Sequence, residues 1–298
     1  MLRRAPPFLC LCLLLTLGGC TRSLEIDTRY TSANHDSRVQ YIVVHYTSSG
    51  FDRALQHLTH GSVSSHYLIS EKPTTYRLVD EEHRAWHAGD SSWQGRTWLN
   101  ASSIGIEIVH PGYTDTAQGR LWHPWPEEQI NALIPLLQDL LKRHKLSPDR
   151  VLGHSDIAPQ RKVDPGPLFP WQRLAASGVS IWPDAEKVAR VQAELAGQAP
   201  PLEWFAEALV RFGYGLEPDP QQIKTTTNVL AAFQMRFRPN RFDGQPDAQT
   251  AAILATLVPE SMRSPLWCRP QTSPTTNQLP PCRIASPVTK PNPEAVQP

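Results

Sequence analysis

The run Val39-Gln40-Tyr41-Ile42-Val43-Val44-His45-Tyr46 is the strongest constraint on what this chain can fold into. Its β-branched and aromatic residues, at strand length, fit a buried strand better than a helix. Its penultimate residue is a histidine, His45, and Thr47-Ser48-Ser49-Gly50 follows as a turn. A second strand is expected at His66-Tyr67-Leu68-Ile69-Ser70, with Thr75-Tyr76-Arg77-Leu78-Val79 pairing to it after the turn around Pro73. In Ser103-Ile104-Gly105-Ile106-Glu107-Ile108-Val109 the alternation puts three isoleucines on one face and Gly105, Glu107 and Val109 on the other. Val151-Leu152-Gly153 is a short strand running into His154. After Pro126, residues Ile130, Leu133, Ile134, Leu137, Leu140 and Leu141 keep the spacing of an amphipathic helix. Lys142, Arg143 and His144 suit its carboxyl end, and Pro135 is expected to kink it. Strands and helices mixed in this way indicate an α/β sheet flanked by helices, not a barrel of pure repeats.

A chain of 298 residues has room for two domains and hardly for a third. With 40% hydrophobic and 19% charged residues it is neither wholly disordered nor a polytopic membrane protein. Its 29 basic against 28 acidic residues leave no electrostatic reason to expect nucleic acid or an acidic polymer as partner. The second domain starts after Trp182-Pro183, where the character changes. Residues 184–196 read as a charged helix, and a break follows at Ala199-Pro200-Pro201. Leu202, Phe205, Ala206 and Leu209 trace the next helical face, then Val229, Leu230, Phe233 and Phe237, then 248–257. Three short helices without strands form a small satellite module over 184–258. From 259 to 298 the chain is Pro-rich without hydrophobic period and is expected to be disordered.

The amino terminus carries Arg3 and Arg4 before an apolar run, Phe8 to Leu17, that is too short to span a bilayer but right for a signal segment. The run ends in Leu17-Gly18-Gly19-Cys20, which resembles a bacterial lipobox. That likeness implies a signal peptide over 1–19, lipidation of Cys20 and a tether over 20–38. Secretion after cleavage near Gly19 and an uncleaved anchor are the alternatives. Thr21, rather than Asp, after the cysteine favours the outer membrane, facing the periplasm, in a Gram-negative source. The five cysteines sit at 10, 12, 20, 268 and 282, so the body has none. A metal site there must use His and carboxylate ligands, while Cys268 and Cys282 are available for a disulfide in an oxidising envelope.

Eleven histidines make any single one weak evidence, and core or surface roles are the ordinary reading. Two stand apart because each closes a strand where a loop begins: His45 and His154. Asp164 follows His154 by ten residues, beside a turn. Two imidazoles and a carboxylate are a workable set for one catalytic zinc ion with a coordination position left for water.

Several segments together resemble a known family. They are Val43-Val44-His45-Tyr46-Thr47, Ser65-His66-Tyr67-Leu68-Ile69, Ala85-Trp86-His87-Ala88-Gly89, Asn100 with Ser103-Ile104-Gly105-Ile106-Glu107, and Gly153-His154-Ser155-Asp156-Ile157-Ala158-Pro159 followed by Arg161-Lys162-Val163-Asp164-Pro165-Gly166. In this order, over about residues 39–182, they look like the zinc-dependent N-acetylmuramoyl-L-alanine amidases of type 2. The resemblance implies a central mixed β-sheet flanked by helices over 39–183. It implies His45, His154 and Asp164 as zinc ligands, Glu107 as general base and Lys162 as the cation that stabilises an oxyanion. Tyr46, His66, Trp86, His87 and Asn100 become candidates for substrate binding, with core roles open for His66, Trp86 and His87. His83, His110 and His123 are read as surface residues. The module at 184–258 resembles the three-helix peptidoglycan-binding domain found on wall hydrolases, through Phe205, Leu209, Phe212, Val229 to Phe237 and Asp243-Gly244.

The expected activity is hydrolysis of the amide between the lactyl group of N-acetylmuramic acid and L-alanine, with peptidoglycan or its fragments as partner. Two rivals remain at this level. One is a recognition protein of the same fold that binds without cleaving, disfavoured because all three ligand residues are present. The other is a wall-tethering lipoprotein whose helical module does the work.

Overall fold

Strand β1 (Tyr41–Tyr46) is buried along its whole length, as its continuous apolar run requires. It lies between β6 (Ser103–Ile108) and β9 (Val151–Gly153), parallel to both. Beyond β6 come β2 (Tyr67–Ile69), also parallel, and β3 (Thr75–Arg77), which turns back antiparallel at the edge. The five-stranded order is β3-β2-β6-β1-β9, a mixed sheet in the computed structural model of residues 26–216 and 223–259. Two small hairpins, β4 (Ser92–Trp93) with β5 (Arg96–Thr97) and β7 (Tyr113–Thr116) with β8 (Gly119–Trp122), stand outside it. The expected signal segment, Cys20, Cys268, Cys282 and the Pro-rich stretch beyond 259 fall outside the described residues.

The two faces of the sheet are covered differently, which creates the site. Ile42 and Val44 of β1, Ile104, Ile106 and Ile108 of β6, and Val151 of β9 form one core with α2 (Glu127–His144). The α2 side contributes Ile130, Leu133, Leu137, Leu140 and Leu141, all buried, and each such side chain withdrawn from water stabilises by roughly 1.5–3 kcal/mol. The helix runs unbroken through Pro135, whose side chain is exposed, so the missing amide bond lies on the solvent side. Gln129 is the polar exception in this layer: its amide donates to the carbonyls of Ser70 and Val109.

On the opposite face α1 (Phe51–His60) lays Ala54 and Leu58 against Leu68 of β2. The amino-terminal part of that face, Tyr41, Val43 and Leu152, packs into a core with α5 (Ala185–Leu195), α6 (Leu202–Phe212), α7 (Ile223–Phe237) and α8 (Ala248–Leu257). Among the described residues the segment 184–258 holds four helices, not the expected three, and it does not stand off as a satellite. It shares one apolar core with the sheet, and the described residues from 37 onward form one compact unit.

That unit starts two residues before the expected boundary because Arg38 is tied in. Its guanidinium donates to the carbonyls of Glu81 and His83 and meets His66 Nε2 at 3.1 Å. Residues 26–36 are exposed and carry no helix or strand. No helix among the described residues is long and apolar enough to cross a membrane. One histidine expected at the surface is not there. His110 is 3% exposed, its ring stacked on Trp125 at 4.0 Å, with Nε2–H donating to the Pro124 carbonyl and Nδ1 accepting from Gly112. The aromatic partner lies fifteen residues on, beyond the reach of any local pattern.

Candidate active site

Parallel register places the fifth residue of β1, His45, beside the fifth residue of β6, Glu107. Both belong to the face not covered by α2, at the carboxyl ends of the strands, where open α/β sheets place their ligands. His154 opens α3 (His154–Ile157) directly after β9. Asp164 lies in the loop that follows, and its carbonyl accepts the Ser155 N–H at 2.8 Å, so the segments of His154 and Asp164 are joined by backbone. His45 Nδ1 and His154 Nδ1 are 2.9 Å apart, and Asp164 Oδ2 lies 3.2 Å and 3.1 Å from them. All three side chains are buried, and their donor atoms lie within 4.8 Å of one another.

The protons on the histidines follow from their partners. Ser103 Oγ donates to the Leu99 carbonyl at 2.6 Å, so across 3.1 Å it accepts from His87 Nε2–H. His87 Nδ1 is then unprotonated and accepts from His45 Nε2–H at 3.0 Å. His45 Nδ1 thus presents a lone pair to the cluster. His154 Nε2–H donates to the Ala88 carbonyl at 3.2 Å, leaving its Nδ1 in the same state. Asn100 Oδ1 holds the segment that supplies these partners by accepting the N–H groups of His87, at 3.0 Å, and Ala88, at 2.7 Å. Two lone pairs and a carboxylate converging in a buried place is a donor set suited to a cation, and outer hydrogen bonds of this kind fix ligand orientation.

The electrostatics point the same way. Burial, with the neighbouring His154, brings the His45 imidazole down to about 4, and burial with three facing histidines holds His87 well below its ordinary value. Burial alone would raise Asp164, but His154 and His45 outweigh it and keep the carboxyl well below the usual range. Glu107 goes the other way: burial and then Asp164 push it up to about 8, against the opposing charge of Lys162. Its Oε2 is buried without a hydrogen-bond partner. An orphaned buried carboxyl oxygen is costly to keep, and such groups mark functional sites.

His45, Glu107, His154, Lys162 and Asp164 all line one cavity of about 420 Å³, with Tyr46, Trp86 and His87 on its walls. Trp86 is 52% exposed, its ring covered on one side by the Arg84 guanidinium at 4.2 Å, so it is a rim residue and not core. His66 and Asn100 do not line the cavity. His66 is fully buried, accepts the Gly105 N–H on Nδ1 at 3.0 Å and turns Nε2 toward Arg38 and the His83 carbonyl. Both hold the walls in place.

Residues that the sequence reading left unassigned complete the site. Ser103 and Gly105 share the Glu107 face of β6. Ser103 ends the His87 relay, and at Gly105 a β-carbon would meet the His87 ring, Cδ2 at 2.6 Å and Nδ1 at 2.8 Å. The small residues alternating before Glu107 were the signal that something lies flat on this strand. Tyr113, from the β7–β8 hairpin, and Arg161 also reach the cavity. Arg161 donates to the carbonyls of Ala88 and Asp90.

Residues 35–167 match the family model described as N-acetylmuramoyl-L-alanine amidase. N-acetylmuramoyl-L-alanine amidase AmiD of Escherichia coli is 43% identical over 263 residues, which cover 82% of this chain and 94% of that protein. The structure of AmiD in complex with the substrate anhydro-N-acetylmuramic acid-L-Ala-D-γ-Glu-L-Lys superposes with a TM-score of 0.73, covering 78% of this chain and 93% of the other. AmpDh3 of Pseudomonas aeruginosa, in complex with anhydromuramic pentapeptide, gives a TM-score of 0.73 at 36% identity, covering 79% and 97%. With the sheet, the buried donor set and these likenesses together, the chain belongs to the N-acetylmuramoyl-L-alanine amidase family of type 2.

Proposed function

We propose that this protein is a zinc-dependent N-acetylmuramoyl-L-alanine amidase, cutting the amide between the lactyl group of N-acetylmuramic acid and L-alanine in peptidoglycan or its fragments. The observation that carries the reading is the pair of unprotonated Nδ1 atoms facing Asp164 in the cavity that also holds Glu107. His45, His154 and Asp164 would hold one zinc ion. When bound, zinc supplies a pKa for water lowered to about 7, and polarisation of a carbonyl oxygen.

The chain's own residues do the rest. Glu107, in its ionised form, accepts the proton of the attacking water and returns it to the departing nitrogen, so one carboxyl serves both steps. The water oxygen bonds to the lactyl carbon, the C–N bond breaks, and the products are a lactyl carboxylate and a free L-alanine amine. Lys162, held by its N–H to the Ala158 carbonyl at 3.0 Å, presents its ammonium to the cavity where negative charge grows on the carbonyl oxygen. Trp86, with its exposed face, and Tyr46 are suited to the sugar and peptide walls of the cleft. The helical domain is proposed to help hold the polymer, on its resemblance to wall-binding modules. The lipobox supports anchoring through Cys20 in the outer membrane, with the body facing the periplasm.

The test is the chain from Thr21 onward, given a muramoyl-tripeptide and followed by mass spectrometry, with chelator, with zinc restored, and as Glu107→Ala. Release of intact peptide that stops with chelator, returns with zinc and is largely lost in the variant supports the amidase. A folded, zinc-loaded protein that binds muropeptide and releases nothing from fragments or sacculi would be a recognition protein instead.

A further inference from the structure

We infer that Arg236 and Tyr214, supplied by the helical domain, are positioning residues for the metal ligand His154, acting through Asp156. The inference rests on the metal-site reading above and concerns how that site is held. His154 begins a helix of only four residues, far too short to be self-supporting, since helix nucleation is unfavourable and needs several turns to be repaid. Its geometry must come from outside. Asp156, two residues along, is the place where outside groups converge. Its Oδ2 accepts the Gly153 N–H at 2.8 Å and Arg236 Nη1 at 2.5 Å, and its Oδ1 accepts the Tyr214 hydroxyl at 2.9 Å. Arg236 Nη2 reaches the Val151 carbonyl at 3.0 Å and Ser180 Oγ at 3.2 Å, and the guanidinium lies 4.1 Å from the Trp171 ring. One side chain of α7 therefore grips β9 before the ligand and α3 after it.

The joint has no slack. Gly153, the residue before His154, is so close to the loop of Asp164 that a β-carbon there would meet Pro165 Cδ at 2.7 Å. Ser155 N–H to the Asp164 carbonyl closes the other side. A movement of α3 is thus transmitted to two of the three ligands. The Arg236 and Asp156 side chains are 2% and 1% exposed. Burying an ion pair gains little over an apolar contact of the same size, and apolar contact already docks the helices on the sheet through Phe205, Leu209 and Phe233. Docking alone does not call for the pair. Its position on the ligand-bearing turn accounts for it.

The test uses the chain from Thr21 onward with Arg236→Lys, which keeps the charge and loses the fork, and with Tyr214→Phe. Arg238→Lys is the control: Arg238 pairs with Asp247 at 2.8 Å within the helical domain, away from the Asp156 network. Zinc affinity by chelator competition, the visible spectrum of the cobalt(II)-loaded protein, kcat against KM and thermal midpoint are measured on each. The expected result is a zinc affinity weakened by about 10–100-fold, an altered cobalt spectrum and a lowered kcat at near-constant KM for Arg236→Lys and Tyr214→Phe. The control loses thermal stability alone. Should the first two variants match the control, the network is merely adhesive and the inference is overturned. If Arg236→Lys does not fold, Tyr214→Phe decides. A wild-type chain that binds neither zinc nor cobalt overturns the metal reading and this inference with it.

Discussion

Replacing Gly105 by alanine puts one methyl group where the His87 ring lies. The backbone at Gly105 has no positive φ, so alanine itself is compatible with the strand and the effect is steric alone. The strand cannot yield: Gly105 is in register with Val43, and its N–H and carbonyl are both bonded to His66. The ring must retreat, from 2.6 Å and 2.8 Å contacts to ordinary packing near ~3.5 Å, a shift of about 1 Å. The 3.0 Å bond between His87 Nδ1 and His45 Nε2 then opens to roughly 4 Å, beyond hydrogen bonding. Overpacking costs about 1–3 kcal/mol and the orphaned buried N–H about 1–3 kcal/mol, so roughly 2–6 kcal/mol is expected in all. At about 2–4 °C per kcal/mol for a chain of this size, the thermal midpoint falls by very roughly 5–20 °C. With its tautomer no longer set, His45 also loses about 10–100-fold in zinc affinity. Differential scanning calorimetry and competition with a chromophoric chelator measure the two effects. A Gly105→Ala protein with wild-type zinc affinity would refute the relay as the device that prepares His45, whatever happened to its midpoint. Ser103→Ala, which removes the acceptor at the far end without crowding the ring, should show the same loss in affinity in milder form.

Lys162→Met should lower kcat by roughly 10²-fold with little change in KM, since on the proposed mechanism it removes a charge needed only as the oxyanion forms; a change confined to KM in steady-state kinetics would contradict that role. Glu81 accepts two bonds from Arg143, one from His144 at 2.5 Å and one from Tyr67. Burial alone would raise its carboxyl, but these partners outweigh it and hold the group at about 2. Its folded value lies below the unfolded one, so its contribution is complete above about pH 4.5 and is lost as pH falls toward 2. Allowing for solvent screening, wild type should lose roughly 1–2 kcal/mol more than Glu81→Gln across that window in urea unfolding; parallel curves would count against the network. Phe233→Ala, in the core shared by the helices and the sheet, should cost about 3–5 kcal/mol and unfold both in one transition. Two separated calorimetric transitions would show that the shared core does not couple them.

What could be read from the residues followed local periods. The strand run at Val39 to Tyr46, the isoleucine alternation of 104 to 108 and the α2 spacing are short-range patterns imposed by the pleat and by the helical turn, so they were legible. The positions of His45, Glu107, His154 and Asp164 were also legible, because each ends a strand or sits beside a turn, and the motifs they belong to keep that order. Weakly apolar elements escaped: α1, which buries only Ala54 and Leu58, and the β7–β8 hairpin, mostly exposed.

The remainder depends on contacts that no local pattern encodes. His87 lies 42 residues from His45, and only the sheet brings their nitrogens to 3.0 Å and so decides which carries the proton. His66 and Asn100 share motifs with cleft residues, yet the fold spends their polar atoms on backbone groups. Asp156 meets Arg236 across 80 residues, and that meeting turns a separate-looking string of helices into part of the frame around the buried donor set. Sequence by itself determined the sheet and the chemistry available at its strand ends. Tertiary structure decided which of those groups are buried together, because protonation state and orientation are set by partners distant in the chain.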